Sequence, residues 1–240
     1  MNKIYLFDVD GTLTPSRQHM DPSFKEFFSE WLENKMTYLV TGSDINKLRE
    51  QIDSDILSLV DGTFTSMGNE FYIDDELIYS KNDKIPEECI LFLHEELRRS
   101  KYPYNKGSNH FEYRVGMLNF STIGRDISLE NRNKYNEWDS VNNERKDICD
   151  KFNERFKFLE YEAKIGGQIS IDIQKIGMDK SQVVDYLYNI YKGSEFIFFG
   201  DRTEFGGNDF DLANKIIEKS LGSVYQVSGP NDCLNKLKLS

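Results

Sequence analysis

Tyr5-Leu6-Phe7-Asp8-Val9-Asp10-Gly11-Thr12-Leu13 is the stretch whose reading decides the fold of this chain. The apolar residues before Asp8 predict a strand buried on both faces, as in a parallel sheet. Open parallel sheets bind ligands just beyond the carboxyl ends of their strands, and Asp8 and Asp10 stand at that end. Alternation puts both side chains on the same side of the strand axis while the chain stays extended. Two acids so close repel each other unless one keeps a proton or a cation neutralises them. Mg2+ fits, as a hard cation that takes one or two carboxylates together with a phosphate. A plain acidic turn is the weaker reading, because an apolar strand precedes the pair and Gly11-Thr12 follows it.

The chain has 240 residues, enough for one large or two modest domains with a sizeable core. Hydrophobic residues make up 38% and charged residues 30%, which fits a soluble globular protein. A net charge of −11 argues against a nucleic-acid backbone as a general partner. Positive charge for an anionic substrate must then be gathered locally. Cys89, Cys149 and Cys233 are scattered, without metal spacing or a disulfide framework, which favours a reducing compartment and passive thiols. The sequence begins a strand almost at once, without the marks of a signal peptide, and no apolar run approaches membrane-spanning length. The expectation is a cytoplasmic protein with neither nucleic acid nor membrane as partner.

Further along, Asp21-Pro22 reads as a helix N-cap followed by proline at the first helical position. Phe24, Phe27, Phe28, Trp31 and Leu32 then recur at helical spacing. A second strand is predicted over 37–41, a helix after Gly42-Ser43-Asp44, a third strand over 64–66 and a hairpin over 71–79. This alternation argues a parallel doubly wound sheet. The pattern then changes: a helix over 86–101, strands over 111–115 and 117–122, one long polar helix over about 128–156, and strands over 158–163 and 168–174. Paired strands with helices suggest an antiparallel α+β insert. From Asp179 the strand–helix alternation resumes, with a strand over 196–199, a helix from about 209 and a strand over 223–227. The expected organisation is a core from 1–81 and 179–240 with a cap domain inserted over 82–178.

Near the C-terminus an apolar strand again ends in an acid: Phe198-Phe199-Gly200-Asp201-Arg202-Thr203, then Gly206-Gly207-Asn208-Asp209. If this strand neighbours the first, Asp201 joins Asp8 around one Mg2+. Phosphoryl transfer needs charge neutralised on the moving group. Lys180, at the start of the helix after the insert, is the candidate cation. Thr41 or Ser43, at the end of the second strand, is the candidate hydroxyl donor, and the sequence does not choose between them. The insert holds Arg114, Arg125 and Arg132 with Asn119 between them. Guanidinium groups bind phosphate bidentately, so this clustering in an acidic protein suggests a second anion site.

The string DVDGTLT resembles the nucleophile motif of the haloacid dehalogenase superfamily. The run from Phe111 to Arg125, FEYRVGMLNFSTIGR, resembles the cap of eukaryotic-type phosphomannomutases, as do Gly166-Gly167-Gln168-Ile169-Ser170-Ile171-Asp172, Gly206-Gly207-Asn208-Asp209 and Thr12-Leu13-Thr14-Pro15-Ser16-Arg17. The resemblance spans nearly the whole chain in order. It implies a Rossmann-like core with a mobile α/β cap. It implies Asp8 as nucleophile and Mg2+ ligand, and Asp10 as general acid/base whose backbone carbonyl also meets the metal. Asp201 would complete the metal ligands. Lys180 would contact the nucleophile and the phosphoryl group. Arg17, Arg114, Asn119, Arg125, Arg132, Ser170 and Asp172 would hold the sugar phosphate. A homodimer through the cap is also implied, with the apolar face of residues 86–100 as a place for it. So are a hexose 1,6-bisphosphate activator and a role in supplying GDP-mannose. Two stretches depart from the family. Ser66-Met67-Gly68-Asn69-Glu70 stands where a Glu-Asn-Gly is common, and Lys215 falls where relatives carry an acid of a second cation site, so no second metal is expected.

Three functions follow. A mutase would interconvert mannose 6-phosphate and mannose 1-phosphate through an aspartyl-phosphate and a hexose bisphosphate. A sugar-phosphate phosphatase of the same superfamily would pass the phosphoryl group to water. A non-catalytic sugar-phosphate binder would not need Asp8, Asp10, Lys180 and Asp201 together. The arginine set favours the mutase, because an intermediate with two phosphates needs two anion sites. The choice between mannose and glucose rests on hydroxyl orientation, which the sequence does not reveal.

Overall fold

A computed structural model describes residues 2–239. In chain order the elements are β1 (Lys3–Phe7), α1 (Pro22–Leu32), β2 (Met36–Val40), α2 (Ile45–Gln51), α3 (Ser54–Leu57), β3 (Gly62–Thr65), β4 (Glu70–Ile73), β5 (Glu76–Ser80) and α4 (Glu87–Arg99). They continue with β6 (Phe111–Arg114), β7 (Met117–Phe120), α5 (Leu129–Asn142), α6 (Glu144–Phe156), β8 (Tyr161–Ile165) and β9 (Ile171–Lys175). Then follow α7 (Gln182–Ile190), β10 (Glu195–Gly200), α8 (Phe210–Glu218), β11 (Gly222–Gln226) and α9 (Pro230–Leu237). The chain packs as two units, residues 1–81 with 177–240 and the insert Asn82–Ile176. No helix among the described residues is long and apolar enough to cross a membrane.

The first unit holds a sheet in the order β11-β10-β1-β2-β3-β4-β5. The five strands from β11 to β3 pair in parallel, and β4 and β5 close the edge as an antiparallel hairpin. Alternation along β1 sends its side chains to two cores. Phe7, with Leu39 and Phe199, packs under Phe24, Phe28, Trp31 and Leu32 of α1. Ile4 and Leu6, with Val40 and Phe198, pack under Val183, Val184 and Leu187 of α7 and Leu212 and Ile216 of α8. Each fully buried phenylalanine contributes about 1.5–3 kcal/mol, so the aromatic stripe predicted on α1 is core. Asp21 caps α1 by accepting from Ser23 and Phe24 N–H groups, ahead of Pro22. Strand order reverses at β1, where β2 lies on one side and β10 on the other, which is the position where such sheets open a ligand crevice.

The insert is an antiparallel sheet in the order β6-β7-β9-β8. One face, with Leu118, Phe120, Ile171 and Ile173, packs against Phe92 and Leu93 of α4 and Ile148, Phe152 and Phe156 of α6. The architecture is the expected Rossmann-like core with an inserted α+β domain. α4 packs inside the insert through Cys89, Phe92 and Leu93, and Leu91 is a large apolar side chain that it leaves exposed. The single polar helix expected over 128–156 is two helices. Asn143 takes left-handed backbone at φ 56, its N–H closing α5 onto Asp139 O at 2.7 Å and its carbonyl opening α6 by accepting from Asp147 N at 2.9 Å. β8 begins at Tyr161, later than predicted, because a 3-10 turn at Lys157–Leu159 ends in left-handed Glu160.

Candidate active site

Asp8 directly follows β1, and its N–H still donates to Phe199 O at 2.9 Å, so the side chain leaves the central strand at its carboxyl edge. Its Oδ2 accepts from Thr12 Oγ1 at 3.1 Å and its Oδ1 from Lys180 Nζ at 2.5 Å. Lys180 Nζ also donates to Asp209 Oδ1 at 2.7 Å. All three charged groups are buried. Asp201 follows β10, the parallel neighbour of β1, and Asp8, Asp201 and Asp209 bring carboxylate oxygens within 4.8 Å of one another. Gly11 makes this approach possible: its φ is +86°, and a Cβ there would collide with Asp201 Oδ2.

One ammonium among three carboxylates leaves the cluster short of positive charge. Burial, reinforced by Asp209, pushes the Asp8 carboxyl well above its ordinary range despite the Lys180 contact. Burial and Asp209 likewise raise Asp201 to about 6. Burial works against the Lys180 ammonium, but Asp209 and Asp8 outweigh it and hold its pKa above the usual lysine value. The donor set fits a divalent cation. It offers hard oxygens in excess of positive charge, and Asn208 Oδ1, one residue before Asp209, is buried with no hydrogen-bond partner.

The Asp10 side chain is held apart from this cluster by its own donors. Its Oδ1 accepts from Gln51 Nε2 at 2.9 Å and from Arg17 N at 2.9 Å, and its Oδ2 from Ser43 Oγ at 3.4 Å. Arg17 thus contributes its backbone here, from left-handed φ 58, while its side chain is exposed. Thr41 Oγ1 accepts from Ser43 N at 3.0 Å and is buried, so both candidate hydroxyls lie in one loop after β2.

In the insert, register places Glu112, Asn119, Asp172 and Lys164 in one row across the sheet, on the face opposite the apolar core. Glu112 receives Arg114 Nε at 2.8 Å and also pairs with Arg125 Nε. Arg125 donates to Asn119 Oδ1, and Asn119 Nδ2 donates to Asp172 Oδ1 at 2.5 Å. Arg132 Nη2 donates to Arg125 O at 2.6 Å. Ser170 and Asp172 line Gly166, where a Cβ would fall 2.9 Å from Ser170 Oγ and 2.7 Å from Asp172 Oδ2. The structure therefore joins Arg114, Asn119, Arg125, Arg132, Ser170 and Asp172 into one polar face, and buried Asp8 and Lys180 with half-buried Asp201 into one cluster. Three further residues belong with them. Asp209 completes the acidic cluster, Gln51 orients Asp10, and Glu112 sets two arginines. Asp209 carries a local signal, since it closes the glycine-rich loop; Gln51, buried on α2, and Glu112, on one strand face with Arg114, carry none that names their partners.

Known folds of this kind include the C-terminal domain of C. albicans trehalose-6-phosphate phosphatase, at TM-score 0.69 and 15% identity over 99% of this chain and 91% of that one. Plasmodium falciparum IMP-nucleotidase gives TM-score 0.67 and 15% identity over 99% of this chain and 69% of that one. With the DVDGT turn at the edge of the central strand, this is the fold of the haloacid dehalogenase class. Sequence narrows it further. The model of the eukaryotic phosphomannomutase family matches residues 24–239. The phosphomannomutase of Dendrobium officinale is 36% identical over 98% of this chain and 93% of its own length, and that of Arabidopsis thaliana is 35% identical over 98% and 95%. The chain belongs to the eukaryotic phosphomannomutase family.

Proposed function

We propose that the protein interconverts mannose 6-phosphate and mannose 1-phosphate, primed by a hexose 1,6-bisphosphate. The observation that carries this is a pair of phosphate-suited sites: a buried nucleophile-and-ammonium cluster in the first unit and an arginine-bearing polar face in the insert. In this reading Asp8 attacks a phosphoryl group of the bisphosphate, the P–O bond to the sugar breaks, and Asp10 gives the departing oxygen its proton. The aspartyl-phosphate then passes its group to the free hydroxyl of a monophosphate, and Asp10 takes the proton back. Lys180 offsets charge at Asp8. Mg2+ held by Asp8, Asp201 and the Asp10 backbone carbonyl would neutralise charge on the moving phosphoryl group. Arg17, Arg114, Arg125 and Arg132 would hold the phosphate that is not reacting, with Asn119, Ser170 and Asp172 at the sugar, and Thr41 or Ser43 would donate to the reacting one. The reading includes a cytoplasmic homodimer joined through the insert, working in GDP-mannose supply.

The test is 31P NMR of the protein with Mg2+, mannose 6-phosphate or glucose 6-phosphate, and a catalytic trace of the corresponding bisphosphate. Hexose 1-phosphate is expected. Free phosphate without hexose 1-phosphate, even when primed, overturns the mutase in favour of a sugar-phosphate phosphatase.

A further inference from the structure

We propose that Arg145 is the positioning residue that fixes the loop between β8 and β9, residues 166–170, so that Ser170 meets the sugar phosphate; this rests on the reading above. Arg145 is buried, a rare place for an arginine unless it is paired. Its Nε donates to Asp139 Oδ2 at 2.7 Å and its backbone N to Asp139 Oδ1 at 2.9 Å, and Asp139 is buried too. Nη1 donates to Gly167 O at 2.7 Å and reaches Ser170 O at 3.5 Å. The guanidinium carbon lies 5.9 Å from the centre of the Tyr135 ring, which is wholly buried. One planar group thus ties α5 to both sides of the loop. Between the two carbonyls it holds, Gly167 and Gln168 are exposed. At the base of the same loop, Ser170 Oγ and Asp172 Oδ2 lie against Gly166.

The break between α5 and α6 makes this contact. On an unbroken helix, residues 139 and 145 would project from different faces. Left-handed Asn143 turns the chain so that Arg145 N reaches the Asp139 side chain. A buried ion pair adds little net stability over apolar side chains of the same size. What this pair supplies is geometry. Asp139 fixes the guanidinium plane at Nε, and the plane then aims Nη1 at Gly167 O, because the donors of a guanidinium are rigidly related. The guanidinium is occupied by Asp139 and by loop carbonyls, so Arg145 acts through Ser170 and not on the substrate itself.

The experiment measures KM and kcat for hexose 1-phosphate and hexose 6-phosphate in the primed assay, for wild type, Arg145→Lys, Ser170→Ala and the double variant. An ammonium can hold Asp139 but lacks the fork that also reaches Gly167. Arg145→Lys is expected to raise KM by about 3- to 10-fold, the size of one ordinary hydrogen bond, with kcat kept within about 2-fold. Ser170→Ala is expected to raise KM as well, and Arg145→Lys to add less than about 2-fold in that background, because it acts through the side chain already removed. A wild-type KM in Arg145→Lys while Ser170→Ala raises it, or a full further rise in the double variant, overturns the proposal. A loss of kcat at constant KM overturns it too, since a smaller folded fraction produces that. An unchanged KM in Ser170→Ala removes Ser170 from the sugar phosphate, and the proposal falls with that part of the reading. Should Arg145→Lys not fold, Asp139→Asn with Arg145→Gln removes both charges together, and the same comparison decides. If wild type only hydrolyses hexose phosphate, the mutase reading falls by itself, and KM for hydrolysis still decides whether Arg145 sets the loop.

Discussion

Lys180 divides its donors between Asp8 and Asp209, so removing one carboxylate does not leave the ammonium alone. Asp8→Asn is expected to abolish isomerisation while the melting temperature holds or rises, because a buried charge with a raised pKa is removed. Activity by 31P NMR and melting by calorimetry check this pair; substantial turnover in the variant would rule out Asp8 as the nucleophile. Asp201 gives a pH dependence whose sign follows from its raised value. Between an ordinary carboxyl value near 4 and about 6, the native state holds a proton on Asp201 that the unfolded chain has released. That contribution stabilises the fold at low pH and is lost as pH rises through 6. In chelator, the melting temperature of Asp201→Asn relative to wild type is therefore expected to increase from pH 4 to pH 6 and then level off. Excess Mg2+ should reverse the ranking at neutral pH, because only wild type keeps the full donor set. A difference that stays flat across this pH range in chelator would contradict the assignment.

At the scale of elements, the loop that carries Arg125 depends on two glycines lying back to back. Gly124 has φ +80°, and a Cβ there would come 2.8 Å from the Gly107 carbonyl carbon. Asp126 ties the opposite side by accepting from Ser108 and Asn109, bonds that hold its carboxyl below the usual carboxylate range. Gly124→Ala is expected to destabilise the protein by about 1–3 kcal/mol through strain and collision, and to raise KM for hexose phosphates by displacing Arg125. Urea unfolding and steady-state kinetics measure the two effects; a variant with wild-type values in both would show that the loop tolerates the side chain. Elements such as β1, α1 and β10 were legible in the sequence because their signals are local: an apolar run, an Asp-Pro cap, an acid at a strand end. Gln51 at Asp10 and Glu112 between two arginines were not, because each depends on a partner brought in by packing or strand register. The break at Asn143 was missed for another reason. Helical periodicity continues across it, and a single left-handed residue leaves little trace in a polar stretch.

Across the whole molecule, all three cysteines are buried, and burial pushes each thiol up to about 12. A thiolate is the reactive form, so the native protein is expected to resist Ellman's reagent at pH 7 and to react at all three sites in denaturant. Rapid native labelling would mean that one of these cores opens readily. The pairing of β1 with β10 also bears on how the protein comes into being. Asp8 and Lys180 are 172 residues apart in the chain, and the insert between them is a continuous segment with its own antiparallel sheet and core. A ribosome delivers the insert whole while the first strand still waits for its neighbour, and closing that long loop is the late, slow event. The buried cluster is thus withheld from the nascent chain until β10 and the loop after it have been made, and a polypeptide released before them carries Asp8 with neither Lys180 nor Asp201 and Asp209 beside it.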